Sequence, residues 1–340
     1  MPCATIHMMT AGRALATWDR RPRWAPFDPA GREQRQAFLL GAMGPDMGFV
    51  PGVERLVSEL AHYVSTGDLV RQILAEARTP TQRAFAWGWA THHVTDVEIH
   101  PVVGRACGDH LLGDADTRMN ASEDLEAHVA MEVGLDLVFL LGDDAIPRPP
   151  RSPCFGPEDM AFLRRALAGT YGIPWQEGLL ERSHRTATLR TGRWPTALTL
   201  LGRAREFADR RAGRRPLDSL LGAAVRLAGH LVPSGSALSG FLRPLVPPAW
   251  AVERVREVAD TFAERFQELV DGNLTGLENR NLETGRMEDA PVEHPDSART
   301  IRRLSELRTQ AQRQGERSAQ RSPSTASSHG PSPASPASRA

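Results

Sequence analysis

The segment GWATHHVTDVEIHP, residues 88–101, holds the densest set of chemically competent side chains in the chain. On an α-helix His92, Asp96 and His100 stand at i, i+4 and i+8. Each step of four advances about 40° around the axis, so the three share one face. Two imidazoles and a carboxylate can bind a divalent cation through nitrogen and oxygen. The alternative is a solvated polar face, but the flanking Trp87, Trp89, Ala90, Val94, Val97 and Ile99 are too apolar for a free surface helix. Burying an unpaired carboxylate is costly, and a metal removes that cost. His93 falls about 100° from His92 around the helix and is expected to make a supporting or surface contact.

The segment EAHVAMEVGLD repeats the arithmetic with His128 and Glu132, a nitrogen and an oxygen one turn apart. Taken alone, such a pair is also an ordinary surface ion pair. His62 in SELAHYV and His7 in TIHMMTAG sit in apolar settings, where a single histidine is more often a satisfied core residue than a ligand. Asp46 follows Gly44-Pro45 in a turn, where aspartate commonly serves as a cap or turn residue. Cys3, Cys107 and Cys154 are widely spaced and form no CxxC pair, which argues against both a disulfide framework and a thiolate zinc knuckle.

The elements that must position these groups read as helices. Residues 33–43 carry a helical apolar face that stops at Gly44-Pro45-Asp46, and 53–77 repeat apolar residues at helical spacing. Thr79-Pro80-Thr81-Gln82 is a helix start with Thr79 as N-cap, Pro80 at N1 and Gln82 closing a capping box. That helix is expected to end at His100-Pro101, because proline disfavours helical backbone in the residue before it. A further start is expected at Asn120, with Glu123 three residues on. Residues 147–158 are Pro-rich and read as a linker or long loop. Helices are expected again at 158–171, 195–212, 216–232 and 249–271. The apolar stretch 219–248 is expected to be a packed helical pair rather than a lipid-facing hairpin. From 285 the apolar content falls, and the segment to 340 is expected to be a low-complexity, largely disordered tail. The fold class is therefore all-α. A first domain is expected over 1–146, and a helical region over 159–284 that could pack on it.

The 340 residues are 41% hydrophobic and 24% charged, and 41 basic residues balance 41 acidic ones, so nothing in the overall charge favours a nucleic-acid partner. All the basic residues are arginine, which reads as coding bias rather than as phosphate recognition. Residues 1–20 lack an apolar signal core, and no stretch reaches the roughly 18–20 apolar residues of a membrane span, so a cytoplasmic location is expected.

In order, His7, the GPD turn, His62, the HxxxDxxxHP run and HxxxE resemble the zinc-dependent phospholipase C family, which includes single-strand-specific nucleases. The resemblance covers about residues 1–146. It implies an all-helical domain with two or three zinc ions: His62, His92 and Asp96 on one, His100, His128 and Glu132 on a second, and His7 with a bridging Asp96 on a third. It implies Asp46 as the general base. In secreted members of the family a processed amino terminus completes the third site. Here Met1-Pro2 precedes His7 by six residues, so that site is expected to be completed differently or to be weaker. The activity implied is metal-assisted hydrolysis of a phospholipid or related phosphate ester, with transient contact to a membrane surface. Two alternatives stand beside it. One is a single-strand nuclease on the same metals, for which Trp18, Trp24, Phe27 and Phe49 are candidate stacking platforms. The other is a non-catalytic, metal-stabilised scaffold.

Overall fold

A computed structural model describes residues 4–50, 52–142, 145–156, 159–209, 232, 234–288 and 294–321. The protein is all-α. Twelve α-helices lie among the described residues: α1 (Ala4–Arg20), α2 (Arg32–Gly41), α3 (Leu56–Tyr63), α4 (Thr66–Glu76), α5 (Pro80–Leu112), α6 (Leu125–Gly142), α7 (Ala161–Tyr171), α8 (Leu179–Thr191), α9 (Trp194–Asp209), α10 (Ala237–Leu242), α11 (Ala249–Asp271) and α12 (Pro295–Arg321). A 3-10 turn, Pro45–Phe49, joins α2 to α3. None of these helices is long and apolar enough to cross a membrane.

The central element is α5. It opens with the expected capping box: Thr79 accepts from the Gln82 amide, and the Gln82 side chain accepts from the Thr79 amide. It then continues for 33 residues to Gly113, which takes the left-handed conformation at φ 71°. The stop expected at Pro101 is therefore corrected. Burial of the following turn, through Val102, Val103, Ala106 and Cys107, outweighs the local penalty of one proline. The single stretch 53–77 is two helices, because Ser65 adopts φ 49° and breaks the run between α3 and α4. Capping of α6 falls on Asp124, whose carboxylate accepts from Ala127 N at 2.9 Å, rather than on Asn120.

Helix α5 is held against α2 by two glycines. A Cβ on Gly88 would meet Phe38 O at 2.0 Å, and one on Gly41 would meet Phe85 O at 2.0 Å, so the two backbones touch where neither has a side chain. Around this contact Trp18, Phe38, Phe85, Trp89, Phe262 and Phe266 form the main core. A second apolar cluster joins α1, α5, α6 and α11 through Ile6, Val103, Met131, Leu135 and Val255.

The Pro-rich stretch around 147–156 is anchored rather than free: Phe155 is buried against Phe85, and Ser152 O accepts from Gln36 at 2.7 Å. The tail expected to be largely disordered from 285 carries α12, a helix of 27 residues. Its Leu304 is buried in the main core, and Arg308 donates to Tyr171 O at 2.6 Å. One buried leucine and several polar anchors suffice to dock a segment whose composition is otherwise that of a solvated chain. Residues 322–340 lie outside the described residues, as do residues 216–231 of the helix expected at 216–232 and part of the apolar pair at 219–248. In the described part of that pair, α10 packs on α6, with Leu245 N donating to Ala130 O at 2.9 Å.

Gly88→Ala inserts a methyl group where Phe38 O already sits. It is expected to lower stability by about 1–3 kcal/mol, read as a reduced urea midpoint at unchanged slope. A wild-type midpoint would show that the α2–α5 approach does not constrain the fold.

Candidate metal centre

Five segments bring the eight candidate side chains to one point. His92, Asp96 and His100 project from α5, His128 and Glu132 from α6, His62 from α3, His7 from α1, and Asp46 from the 3-10 turn. The position of α1 is set by Asp136, one turn beyond Glu132 on α6. Its Oδ1 accepts from Thr5 N at 3.0 Å and Ile6 N at 3.4 Å, capping the first turn of α1 from a distance and fixing where His7 points.

Asp96 is the hub. Its Oδ2 lies 2.9 Å from His92 Nε2 and 3.4 Å from His62 Nε2, while Oδ1 lies 3.2 Å from His7 Nε2 and 3.8 Å from His100 Nε2. Beside it, Glu132 Oε1 lies 3.3 Å from His100 Nε2 and 3.5 Å from His128 Nε2. Asp46 Oδ1 lies 3.4 Å from His62 Nε2 and 4.0 Å from His92 Nε2. The rings of His7 and His92 stack at 3.9 Å.

Three sets of donors could each hold a cation: His7, His92 and Asp96; Asp46, His62 and His92; and His100, His128 and Glu132. The last set groups the residues as the family resemblance implies. The first two share His92, and the second places Asp46, expected as a base, beside His62 among the groups that could hold a cation.

The ring tautomers suit such a role. His92 Nδ1 donates to Ala42 O at 2.9 Å, His62 Nδ1 to Ser58 O at 2.8 Å and His100 Nδ1 to Leu282 O at 3.0 Å. With the proton on Nδ1, the Nε2 lone pair of each ring is aimed at the carboxylates. Both oxygens of Asp96 are buried and find no hydrogen-bond donor. Imidazole lone pairs facing a buried carboxylate repel it unless a proton or a metal cation lies between them, and the nitrogen and oxygen donor set present fits a metal.

Without a metal, the carboxylates favour protons on two of these rings, protons that a bound cation would displace. Burial disfavours charge throughout, yet the hydrogen bonds and charges of Asp46 and Asp96 raise His62 to about 9, and those of Asp96 and Glu132 raise His100 to about 10. Against the same burial penalty, His92 and His62 hold Asp46 down at about 2. His93, expected as a supporting or surface contact, is buried and lies 3.2 Å from Thr66 Oγ1; burial lowers it to about 3.

Asp46, His62, His100, His128 and Glu132 line a cleft of about 710 Å³. Phe49, Leu125 and Val129 give it apolar wall, and Arg55 and Arg299 add guanidinium groups. Among the aromatic residues singled out in the sequence, Phe49 lines this cleft. Trp18 and Phe27 are core residues in edge contact at 5.3 Å, and Trp24 lies under Arg21.

Sequence reasoning missed two carboxylates. Asp136 continues the i, i+4 pattern of His128 and Glu132, so its signal was present. Glu283 gave none, because it comes from a polar turn about 150 residues away from Glu132. It is buried in the cleft wall and accepts from Ala121 N, from Tyr63 OH at 3.2 Å and from His294 Nε2 at 3.2 Å. His294 Nδ1 in turn accepts from Ser297 N at 3.4 Å, so the same ring caps α12 and ties it to the cleft.

Burial raises the Glu283 carboxyl, but the His294 hydrogen bond and the nearby His128 charge outweigh it and hold the group at about 2, below its ordinary 4.5. A depressed carboxyl stabilises the fold fully above about 4.5, and that contribution drains as pH falls toward about 2. Glu283→Gln is therefore expected to flatten the urea midpoint against pH in this window. An unchanged profile would show that Glu283 does not carry this linkage.

Residues 6–172 match the family model described as zinc dependent phospholipase C, and all eight donor candidates fall within that span. No curated protein and no solved structure gives a match. The order of the donors, their convergence and this match make residues 6–172, just under half of the chain, similar to the zinc-dependent phospholipase C family.

Proposed function

We propose that this protein is a zinc-dependent phosphodiesterase of the phospholipase C type, cleaving a phospholipid or related phosphate ester. The observation that carries this reading is Asp96, a buried carboxylate in one donor set that also lies 3.4 Å from His62 and 3.8 Å from His100, two donors that line an open cleft. The donors are nitrogen and oxygen without thiolate, the set used by catalytic zinc sites that keep an open position. Two or three ions are proposed, held by His7, His62, His92, Asp96, His100, His128 and Glu132, with Asp46 adjoining. Zinc bound there supplies Lewis-acid polarisation of phosphoryl oxygens and acidification of water.

The chain's own residues supply the rest. Asp46, ionised at neutral pH and lining the cleft, orients the attacking water and takes its proton. Arg55 and Arg299 attract the phosphodiester into the cleft. Phe49, Leu125 and Val129 accept apolar chain and exclude water from it. Transient docking on a lipid surface is proposed through exposed Leu125 and Leu238 near the cleft mouth. Burial of Trp18 and Phe27 leaves few platforms for base stacking, which disfavours the nuclease reading. An open cleft beside the donors disfavours a closed scaffold site.

The test joins metal analysis of the purified full chain to release of phosphorylated head group from phosphatidylcholine, with single-stranded DNA as the competing substrate. Asp96→Asn is expected to lower zinc content by about two ions, because the family resemblance has Asp96 bridge two of them, and Glu132→Gln by about one. Asp46→Asn is expected to lower kcat about 10²–10⁴-fold. A zinc-loaded wild type inert toward every phosphodiester tried would overturn the catalytic reading, and unchanged zinc in Asp96→Asn would overturn the site.

A further inference from the structure

The turn at 281–285 lies far beyond the family match, yet it touches two of the proposed zinc-binding helices. Leu282 N donates to His62 O at 2.8 Å, and Leu282 O accepts from His100 Nδ1 at 3.0 Å. One residue's backbone thus bonds the end of α3 and the ring of His100. We propose that the 281–285 turn is a positioning clamp for the zinc centre, holding the His100 ring in the Nδ1–H tautomer that leaves Nε2 free for metal. This inference rests on the zinc reading above.

The turn is built to deliver that carbonyl. Asn281 Oδ1 accepts from Glu283 N at 2.9 Å and Thr284 N at 3.0 Å, its own N donates to Arg286 O at 2.9 Å, and its O accepts from Gly285 N at 2.8 Å. Asn281 Nδ2 reaches Ser297 Oγ at 2.8 Å, which ties the turn to α12.

Its approach to α5 depends on two residues whose special properties meet there. Gly285 sits at φ +68°, and a Cβ on it would lie 2.5 Å from Val97 O and 3.0 Å from Pro101 Cγ. Val97 O is the carbonyl that the amide of residue 101 would occupy in an uninterrupted helix, and proline has no amide to offer. Beside His100 the helix therefore presents a proline ring and a carbonyl that lacks its usual i+4 amide, and only a glycine can come this close to them. A side chain at 285 must lift the turn away from α5, carrying Leu282 O off the His100 ring. Hydrogen bonds of this kind to a metal-binding histidine typically account for about 10–100-fold in metal affinity.

The experiment measures zinc release from the full chain against a graded chelator, with stoichiometry followed throughout. Gly285→Ala and Asn281→Ala are each expected to release one zinc at about 10–100-fold lower chelator strength while the remaining zinc behaves as in wild type. Gly113→Ala is the control. It places a methyl on another left-handed glycine, at φ +71°, with nothing within 4 Å, so it carries the backbone penalty without the collision. Nitrogen NMR of the zinc-loaded wild type is expected to report His100 protonated at Nδ1 in a protected hydrogen bond, a readout that does not depend on how the variants fold.

Folded Gly285→Ala and Asn281→Ala proteins with wild-type zinc release would overturn the clamp, as would an Nε2–H tautomer or an exchanging Nδ1 proton at His100. Wild-type protein that binds no zinc would overturn the phosphodiesterase reading together with the clamp. A zinc-loaded wild type with unaffected variants overturns the clamp alone.

Discussion

The structure is organised around one buried carboxylate. Asp96 sits in the middle of α5 with its oxygens shielded from water and no donor within hydrogen-bond reach, while four imidazole Nε2 atoms face it at 2.9–3.8 Å. With neutral rings such an arrangement is unfavourable, because removing a carboxylate from water costs far more than neutral imidazoles return. Cations among these groups reverse the balance. The surrounding helices can then be understood as the frame that keeps the donors close enough for that to happen.

Much of the frame is fixed by backbone contacts rather than by side-chain bulk. The bare backbones at Gly41 and Gly88 let α2 and α5 touch, which brings Ala42 O to His92 Nδ1. Asp136 caps α1 from α6, so the helix bearing His7 is located by the helix bearing Glu132. Carbonyls of Ala42, Ser58 and Leu282 each take one imidazole proton. The ring orientations are therefore set by three separate stretches of main chain, and a shift in any of them moves a donor nitrogen.

The C-terminal third contributes more than an added layer. Glu283, His294 and the 281–285 turn close one side of the cleft, and α12 is bonded to α3 through Arg299 and Arg303, both on Glu59. These residues fall outside the span that defines the family. The part of the site inside the matched span and the part outside it thus meet at His62, Tyr63 and His100. Features of the cleft that distinguish this protein from others with the same donors should be sought in that seam.

The sequence by itself determined the donor types, their helical spacing and the start of α5, because these follow from local periodicity and capping chemistry at Thr79, His92, Asp96, His100, His128 and Glu132. Asp136 was equally legible from its place four residues beyond Glu132. What the sequence left open depends on contacts between distant segments. Whether α5 runs through Pro101 is decided by burial of the turn that follows. Whether Asp46 stands apart as a base or beside His62 as a donor is decided by where the 3-10 turn meets α3. Glu283 and Leu282 carry no local mark of their position, since a polar turn comes beside the candidate donors only when the chain folds back across about 180 residues to reach His100. Periodicity reports which face of a helix is special, and only tertiary packing determines what that face meets.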